Sequence, residues 1–242
     1  MMKTWAITDV GLVRKENQDA YRIARGGDVC VVCDGMGGAA GGQIASTLAA
    51  ETYAAELEKI LKPDMTPEQL REASSYAVAM ANQAVENRAS EDDELSNMGT
   101  TLVSAIAYGG GAVVTNVGDS RAYYITRAGI TRITKDHSLV ESMVDHGDIT
   151  ADEARHHPSR NLITRALGRD TNASCDGYIR PMEKGDYLLL CTDGLVNTVT
   201  DQEMLFEVLH GQDEDSCLHR LMEIAKSQGA PDNVTAVLMR ML

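Results

Sequence analysis

Five aspartates stand where apolar segments end. Asp34 follows VCVVC and precedes Gly35. Asp193 follows YLLLCT and precedes Gly194. Asp232 precedes NVTAVLM, Asp119 lies in the turn of VVTNVGDSRAYYIT, and Asp19 follows RKENQ at the opening of a short strand. One such residue is an ordinary turn former. Five, at the ends of segments that read as central strands, predict convergence on one face of the sheets. A cluster made of carboxylates suits hard divalent cations, Mg2+ or Mn2+, which take oxygen ligands and keep several waters. No His or Cys joins these positions as a ligand, which disfavours zinc.

The glycines after Asp34 offer a competing chemistry. From Gly35 the sequence G-M-G-G-A-A satisfies the dinucleotide-binding fingerprint, and from Gly37 it approaches a phosphate loop. The first reading needs a strand, a glycine turn, a helix and then a second parallel strand ending in an acid. Here one helix runs to Pro63 and another follows, with no strand before about residue 99. The second reading needs Lys and Ser/Thr where this chain has Gln43 and Ile44, so phosphate and Mg2+ contacts are both missing. Gly37 and Gly38 are then expected to let the backbone turn from strand to helix just after Asp34.

The elements that must position the aspartates follow from the periodicity. Strands are expected at 3–9, 20–24, 28–33, 99–108, 111–117, 121–126, 129–133, 175–180, 186–192 and 233–241. Helices are expected at 42–62, 67–89, 137–146, 151–156, 201–210 and 214–227. Thr66-Pro67-Glu68-Gln69 is a capping box with proline at the first helical position, and Thr150/Glu153 and Thr200/Glu203 are further boxes. Strands cluster and helices come in pairs, which is not the alternation of a parallel α/β sheet. The expected class is α+β, with two mostly antiparallel sheets packed together and helix pairs outside them.

Bulk properties narrow the function. The 242 residues fit one large domain or two small ones, and no linker, repeat or low-complexity tract divides them. The hydrophobic content is 43%, with one Phe and one Trp, so the core is aliphatic. A net charge of −14 argues against a nucleic-acid partner, which needs a basic stripe. The acidic surface gives solubility, and part of the excess can be a carboxylate cluster for divalent cations. No apolar run approaches the roughly 20 residues of a membrane span, and MMKTWAITDV lacks the apolar core of a signal peptide. A cytoplasmic chain with its five cysteines reduced is expected. Cys30 and Cys33 form a C-x-x-C inside a strand, where the two side chains face opposite sides. Cys191 reads as packing rather than as a nucleophile.

The motifs RKENQD, DGMGG, GTT, NVGDSRAY, TKDHS, LITRALG, LLLCTDGL and DNVT occur in that order. In this the chain resembles the metal-dependent Ser/Thr protein phosphatases of type 2C in their compact bacterial form, nearly from end to end. The resemblance implies a four-layer α-β-β-α sandwich forming a single catalytic domain over 1–242, with a flap at about 137–168. Asp34 would bridge two Mg2+ or Mn2+ ions, and the Gly35 carbonyl would complete one shell. Asp193 and Asp232 would hold the first ion, and Asp19 would reach the second, largely through water. Asp119 would serve a weaker third site. Arg14 would bind the substrate phosphate, a task suited to a planar guanidinium. The implied reaction hydrolyses phosphoserine or phosphothreonine by direct attack of a metal-bridging water, with no phosphoenzyme. Phosphorylated proteins, among them a Ser/Thr protein kinase, are the implied partners. Nothing reads as an oligomer seam, so a monomer is expected.

Three positions depart from the family pattern. DGMGG is usually followed by His and, four residues later, Glu, where this chain has Ala39 and Gln43. That His is a proton donor to the leaving alkoxide in such enzymes, a role worth about 10²–10⁴-fold. Gln18 stands where many members have Glu. Two other functions stay open at this point. One is a catalytically weak pseudo-phosphatase acting as a phosphoprotein-binding sensor, favoured by Ala39. The other is a metal-dependent nuclease, disfavoured by the charge. His137 is expected to cap or orient the first flap helix, and His156 and His157 to be polar surface of a loop.

Overall fold

The computed structural model describes residues 2–169 and 174–242, without the side chain of Ala39. The chain opens with β1 (Met2–Asp9), β2 (Asp19–Ala24) and β3 (Val29–Met36), followed by two long helices, α1 (Gly38–Ile60) and α2 (Pro67–Ser90). Five strands come next: β4 (Gly99–Thr100), β5 (Leu102–Tyr108), β6 (Gly111–Val117), β7 (Arg121–Thr126) and β8 (Gly129–Arg132). The short helices α3 (Leu139–His146) and α4 (Ala151–His156) precede β9 (Asp176–Pro181) and β10 (Tyr187–Cys191). The chain then forms α5 (Asp193–Val196), α6 (Asp201–His210), α7 (Glu214–Ser227) and β11 (Val234–Met241).

The strands form two sheets. One has the order β1-β11-β10-β7-β8; the other has β2-β3-β5-β6-β9, with β4 beside β3. Every pairing between named strands is antiparallel. Three buried clusters define four layers. Val31, Cys33, Leu102 and Val113 of the second sheet pack on Ala49, Tyr53, Leu57 and Val78 of α1 and α2. Val32, Val103, Leu190 and Val237 fill the space between the sheets. Leu189, Leu238 and Ile125 of the first sheet meet Met204, Leu218 and Leu221 of α6 and α7. The expected α-β-β-α sandwich is what the chain builds, with an aliphatic core: the one Phe, Phe206, is exposed.

The alternation within β3 shows how the pleat sorts the chain. Cys30 and Val32 face the other sheet, whereas Val31 and Cys33 face the helices. The two cysteines of the C-x-x-C therefore lie in different layers, and all five cysteines are free. The three threonine capping boxes form, each with both reciprocal hydrogen bonds. A fourth, Asp213 with Ser216, opens α7; serine at the third position hides it from the usual Glu/Gln pattern.

Beyond shifts of one or two residues, three boundaries differ from expectation; β3, expected to end at 33, continues to Met36. The strand expected over 99–108 is interrupted at Thr101, which turns to Asp34: its N–H donates to the Asp34 carbonyl at 2.9 Å. Helix α1 begins at Gly38 rather than at 42, although GAAGG is a poor helix start. A tertiary contact overrides propensity here. The backbone of Gly42 lies so close to β3 that a Cβ at Gly35 would collide with the Gly42 carbonyl.

Candidate metal centre and active site

The sheets deliver the five aspartates to one edge of the sandwich. Asp19 and Asp34 are direct cross-strand partners on β2 and β3. Asp193 opens α5 straight after β10, and Asp232 precedes β11. Asp119 sits in the β6–β7 turn. Asp34 is the hub: burial raises its pKa well above the usual value, and the charges of Asp19, Asp193, Asp119 and Asp232 raise it further. Burial likewise pushes Asp193 up to about 6, with repulsion from Asp232. It pushes Asp19 up to about 7 against hydrogen bonds from Thr235 and Thr192, and Asp119 up to about 8 with repulsion from Asp193 and Asp136. Like charges held this close in a desolvated cleft disfavour ionisation of the four buried carboxylates, Asp34, Asp19, Asp119 and Asp193.

The residues fit a hard cation. Asp19 Oδ1 and Asp193 Oδ1 are buried and have no hydrogen-bond partner. Such orphaned acceptors are expensive in a folded protein, and a divalent cation with its waters is the natural partner for anionic oxygens. Among the described residues no three His, Cys, Asp or Glu side chains form a compact ligand group by themselves. Carboxylates that face one volume without closing on it leave positions for water and for a backbone carbonyl such as that of Gly35.

Arg14 joins the cluster from the β1–β2 loop. Its Nη2 donates to Asp232 Oδ2 at 2.8 Å. That bond raises its pKa, with further help from the charges of Asp34 and Asp193. Half exposed, it keeps the rest of its guanidinium free for a ligand.

Several residues that hold these groups lie inside the motifs GTT, LLLCTDGL and DNVT, but the sequence assigned them no role. Thr101 Oγ1 accepts from the Asp34 N–H at 2.9 Å and pairs with Ser120 Oγ at 2.7 Å. Thr192 Oγ1 donates to Asp19 Oδ2 at 2.9 Å while accepting from the Thr235 N–H. Asn233 Oδ1 accepts from the Gln18 N–H at 2.8 Å, and its amide donates to the Val10 and Glu16 carbonyls at 2.9 and 3.0 Å. One buried side chain thus closes the whole loop that carries Arg14. Threonines inside apolar strands read as ordinary β residues; only the adjacency of Thr192 to Asp193 and the GTT motif around Thr101 mark them.

His137 does not cap α3. Ser138 does, accepting from the Glu141 N–H. His137 is buried, at 7% exposure, and its Nδ1 accepts from the Gly118 N–H at 3.1 Å. That bond fixes the neutral tautomer with hydrogen on Nε2, which faces Asp176 Oδ2 at 3.2 Å. Burial lowers the His137 pKa despite Asp176; Arg165, also on Asp176, shares the task of keeping that carboxylate ionised. His137 thereby ties the turn that carries Asp119 to the segment after α4. Burial pushes the Cys191 thiol up to about 12, as suits packing and not a nucleophile.

The pattern of the protein phosphatase 2C family matches residues 13–239. The chain is 37% identical over 234 residues to the serine/threonine protein phosphatase PstP of Mycobacterium tuberculosis, covering 96% of this chain and 44% of that relative's length. It thus spans less than half of that protein. Its fold matches the serine/threonine phosphatase Stp1 of Staphylococcus aureus with a TM-score of 0.93 at 34% identity, covering 100% of this chain and 96% of that one. The catalytic domain of PstP solved with two manganese ions superposes with a TM-score of 0.85 at 34% identity, over 99% of this chain and 97% of that one. A family match over nearly the whole chain, a relative at 37% identity and the same fold in solved phosphatases lead to one assignment: this chain belongs to the protein phosphatase 2C family.

Proposed function

We propose that the chain is a Mg2+- or Mn2+-dependent phosphatase acting on phosphoserine and phosphothreonine in proteins. Metal-dependent dephosphorylation is characteristic of the family, and the observation that carries the reading here is the set of orphaned, mutually repelling carboxylates around Asp34. Asp34, Asp193, Asp232 and Asp19, with the Gly35 carbonyl, would hold two ions, and Asp119 a weaker third. Bound there, two cations neutralise the phosphoryl oxygens and lower the pKa of a water. Arg14 would exchange its bond to Asp232 for the substrate phosphate, and so orient the phosphoryl group. Thr101 and Thr192 would hold Asp34 and Asp19 in place.

The domain is read as single over 1–242, with 137–168 as a flap beside the site. The supporting contacts lie at the feet of that segment: Thr164 N–H to the His137 carbonyl at 2.7 Å, and Leu167 with Thr100 in both directions at 2.9 and 3.0 Å. A phosphorylated Ser/Thr kinase as partner, a monomeric state and a cytoplasmic location complete the reading. Among the described residues no helix is long and apolar enough to cross a membrane.

The decisive assay compares an aryl phosphate, a phosphothreonine peptide and single-stranded DNA with Mn2+, for wild type and Asp193→Ala. Metal-dependent turnover of the phosphomonoesters alone is expected. Binding of phosphoprotein without turnover would establish the sensor reading instead, and cleavage of the DNA would establish the nuclease. Ala39 and Gln43 replace the usual His and Glu, so catalysis should lean on leaving-group acidity. Ala39→His is expected to raise phosphoserine peptide turnover far more than aryl phosphate turnover, toward the roughly 10²–10⁴-fold of a general acid; equal gains on both would sink that idea.

A further inference from the structure

Resting on the phosphatase reading, the structure points to a specificity determinant beside Arg14. Leu12 and Val13 are 61% and 68% exposed. Single exposed apolar residues are unremarkable on a surface. These two are consecutive, directly precede Arg14, and sit on a loop held from behind at many points.

Gly11, at φ +77°, lies so close to the Asp232 backbone that a Cβ there would collide with its carbonyl. The Gly11 N–H donates to Asp9 Oδ1 at 2.9 Å, and Asp9 is paired with Lys226 at 2.5 Å. The Leu12 N–H donates to the Ala230 carbonyl at 2.9 Å. Asn233 grips Val10, Glu16 and Gln18. Arg14 itself holds Asp232. The two apolar side chains therefore stand in solvent on a backbone already fixed, so covering them needs little further ordering.

The occupant follows from chain geometry. Consecutive Cα atoms are ~3.8 Å apart, in this loop and in a bound peptide alike. If Arg14 takes the phosphate, a substrate residue one or two positions from the phosphorylated one comes within reach of Val13 and Leu12. We propose that Leu12 and Val13 form an apolar seat for that neighbouring side chain, so that the enzyme prefers phosphothreonine and phosphoserine sites flanked by Val, Leu or Ile. The surrounding charge points the same way. Acidic flanks meet a chain of net charge −14, whereas apolar flanks meet exposed apolar surface.

The test uses phosphothreonine peptides that differ only in the residues one and two positions to either side of the phosphothreonine: Val/Leu, Gly or Asp. For wild type with Mn2+, kcat/KM should be about tenfold higher for the Val/Leu series than for Gly, the scale of small apolar contacts in a specificity pocket, with the difference in KM because the contact is the same before and during reaction. In Leu12→Ser/Val13→Ser that ratio should fall to within about twofold of unity. Val13→Ile, which keeps the surface apolar, should retain it. Equal turnover of the Val/Leu and Gly series by wild type, or a ratio unchanged in the double serine variant, would overturn the seat. Aryl phosphate is run alongside. If wild type turns over neither aryl phosphate nor any peptide, the phosphatase reading itself fails. If it turns over aryl phosphate and peptides without flank preference, only the seat does.

Discussion

Two of the places where the molecule buries polar groups are opposites. Between α1, α2 and the second sheet, Tyr53 Oη bonds Ser74 and Ser104, both at 2.6 Å, and Ser74 bonds Thr115 at 2.6 Å. Four neutral hydroxyls satisfy one another in the core. At the sheet edge, five carboxylates share a cleft, two of their oxygens have no partner, and their charges repel. Both clusters are desolvated. The first is complete within the chain, and the second awaits positive charge. A closed polar network serves stability and an open one serves function, a difference that burial alone does not reveal.

The largest effect separates the clusters outright. Asp193→Ala should lower kcat/KM at least about 10³-fold, the scale lost with a main electrostatic contributor. It should also raise the metal-free melting temperature, because one repelling charge is gone. A lowered metal-free Tm in a scan with chelator would break the comparison.

Next, a hydroxyl pair of the same chemistry occurs on each side. Thr101 with Ser120 supports Asp34, whereas Ser74 with Thr115 supports only the core. Thr101→Val should reduce turnover about 10–100-fold, as loss of a group that orients a ligand does. Ser74→Ala should leave kcat within about twofold while lowering stability by about 1–3 kcal/mol. Mn2+ affinity measured by calorimetry should weaken for the first variant only.

Tyr53→Phe sharpens the core side. It strands Ser104 and should cost about 1–3 kcal/mol, a fall of roughly 2–4 °C in Tm per kcal/mol for a chain of this size, with kcat preserved.

The last effect is a slope. In the folded chain burial holds Asp34, Asp19, Asp119 and Asp193 above the free carboxylate value of 3.8. Folding therefore favours protonation, and the associated stability is present below the unfolded value and is lost as pH rises through about 6 to 8. Metal-free protein should melt at falling temperature between about pH 5 and pH 8, the reverse of ordinary acid denaturation. Saturating Mn2+ should flatten that slope.

The open cluster was legible in the sequence and its supports were not. Asp34, Asp193 and Asp232 announce themselves because a carboxylate ending an apolar strand has no packing reason to be there, and the layer order followed from strand and helix periodicity. Thr101, Thr192 and Asn233 lie in quoted motifs, but their roles are hidden because each acts through partners far along the chain: Thr192 meets Asp19 across 173 positions. Of the two roles expected for His137, capping falls to Ser138, and its actual partners were out of local view, since Gly118 and Asp176 lie 19 and 39 residues away. The break at Thr101 and the early start of α1 both came from close tertiary contacts, to which local propensity is blind.

The pairing of β1 with β11 runs from Met2 opposite Met241 to Asp9 opposite Val234, and Asn233 at its end closes the loop that bears Arg14. This has a meaning for biosynthesis. While a ribosome is still short of residue 232, the strand made first has no neighbour at this edge, the arginine loop has no clasp, and one carboxylate of the cleft does not yet exist. Both faces of the first sheet also lack the β11 side chains, Leu238 toward the helices and Val237 toward the other sheet, that fill the core there. Competence then arrives with β11, so a chain stalled before it lacks an interior strand of the first sheet and the finished site together.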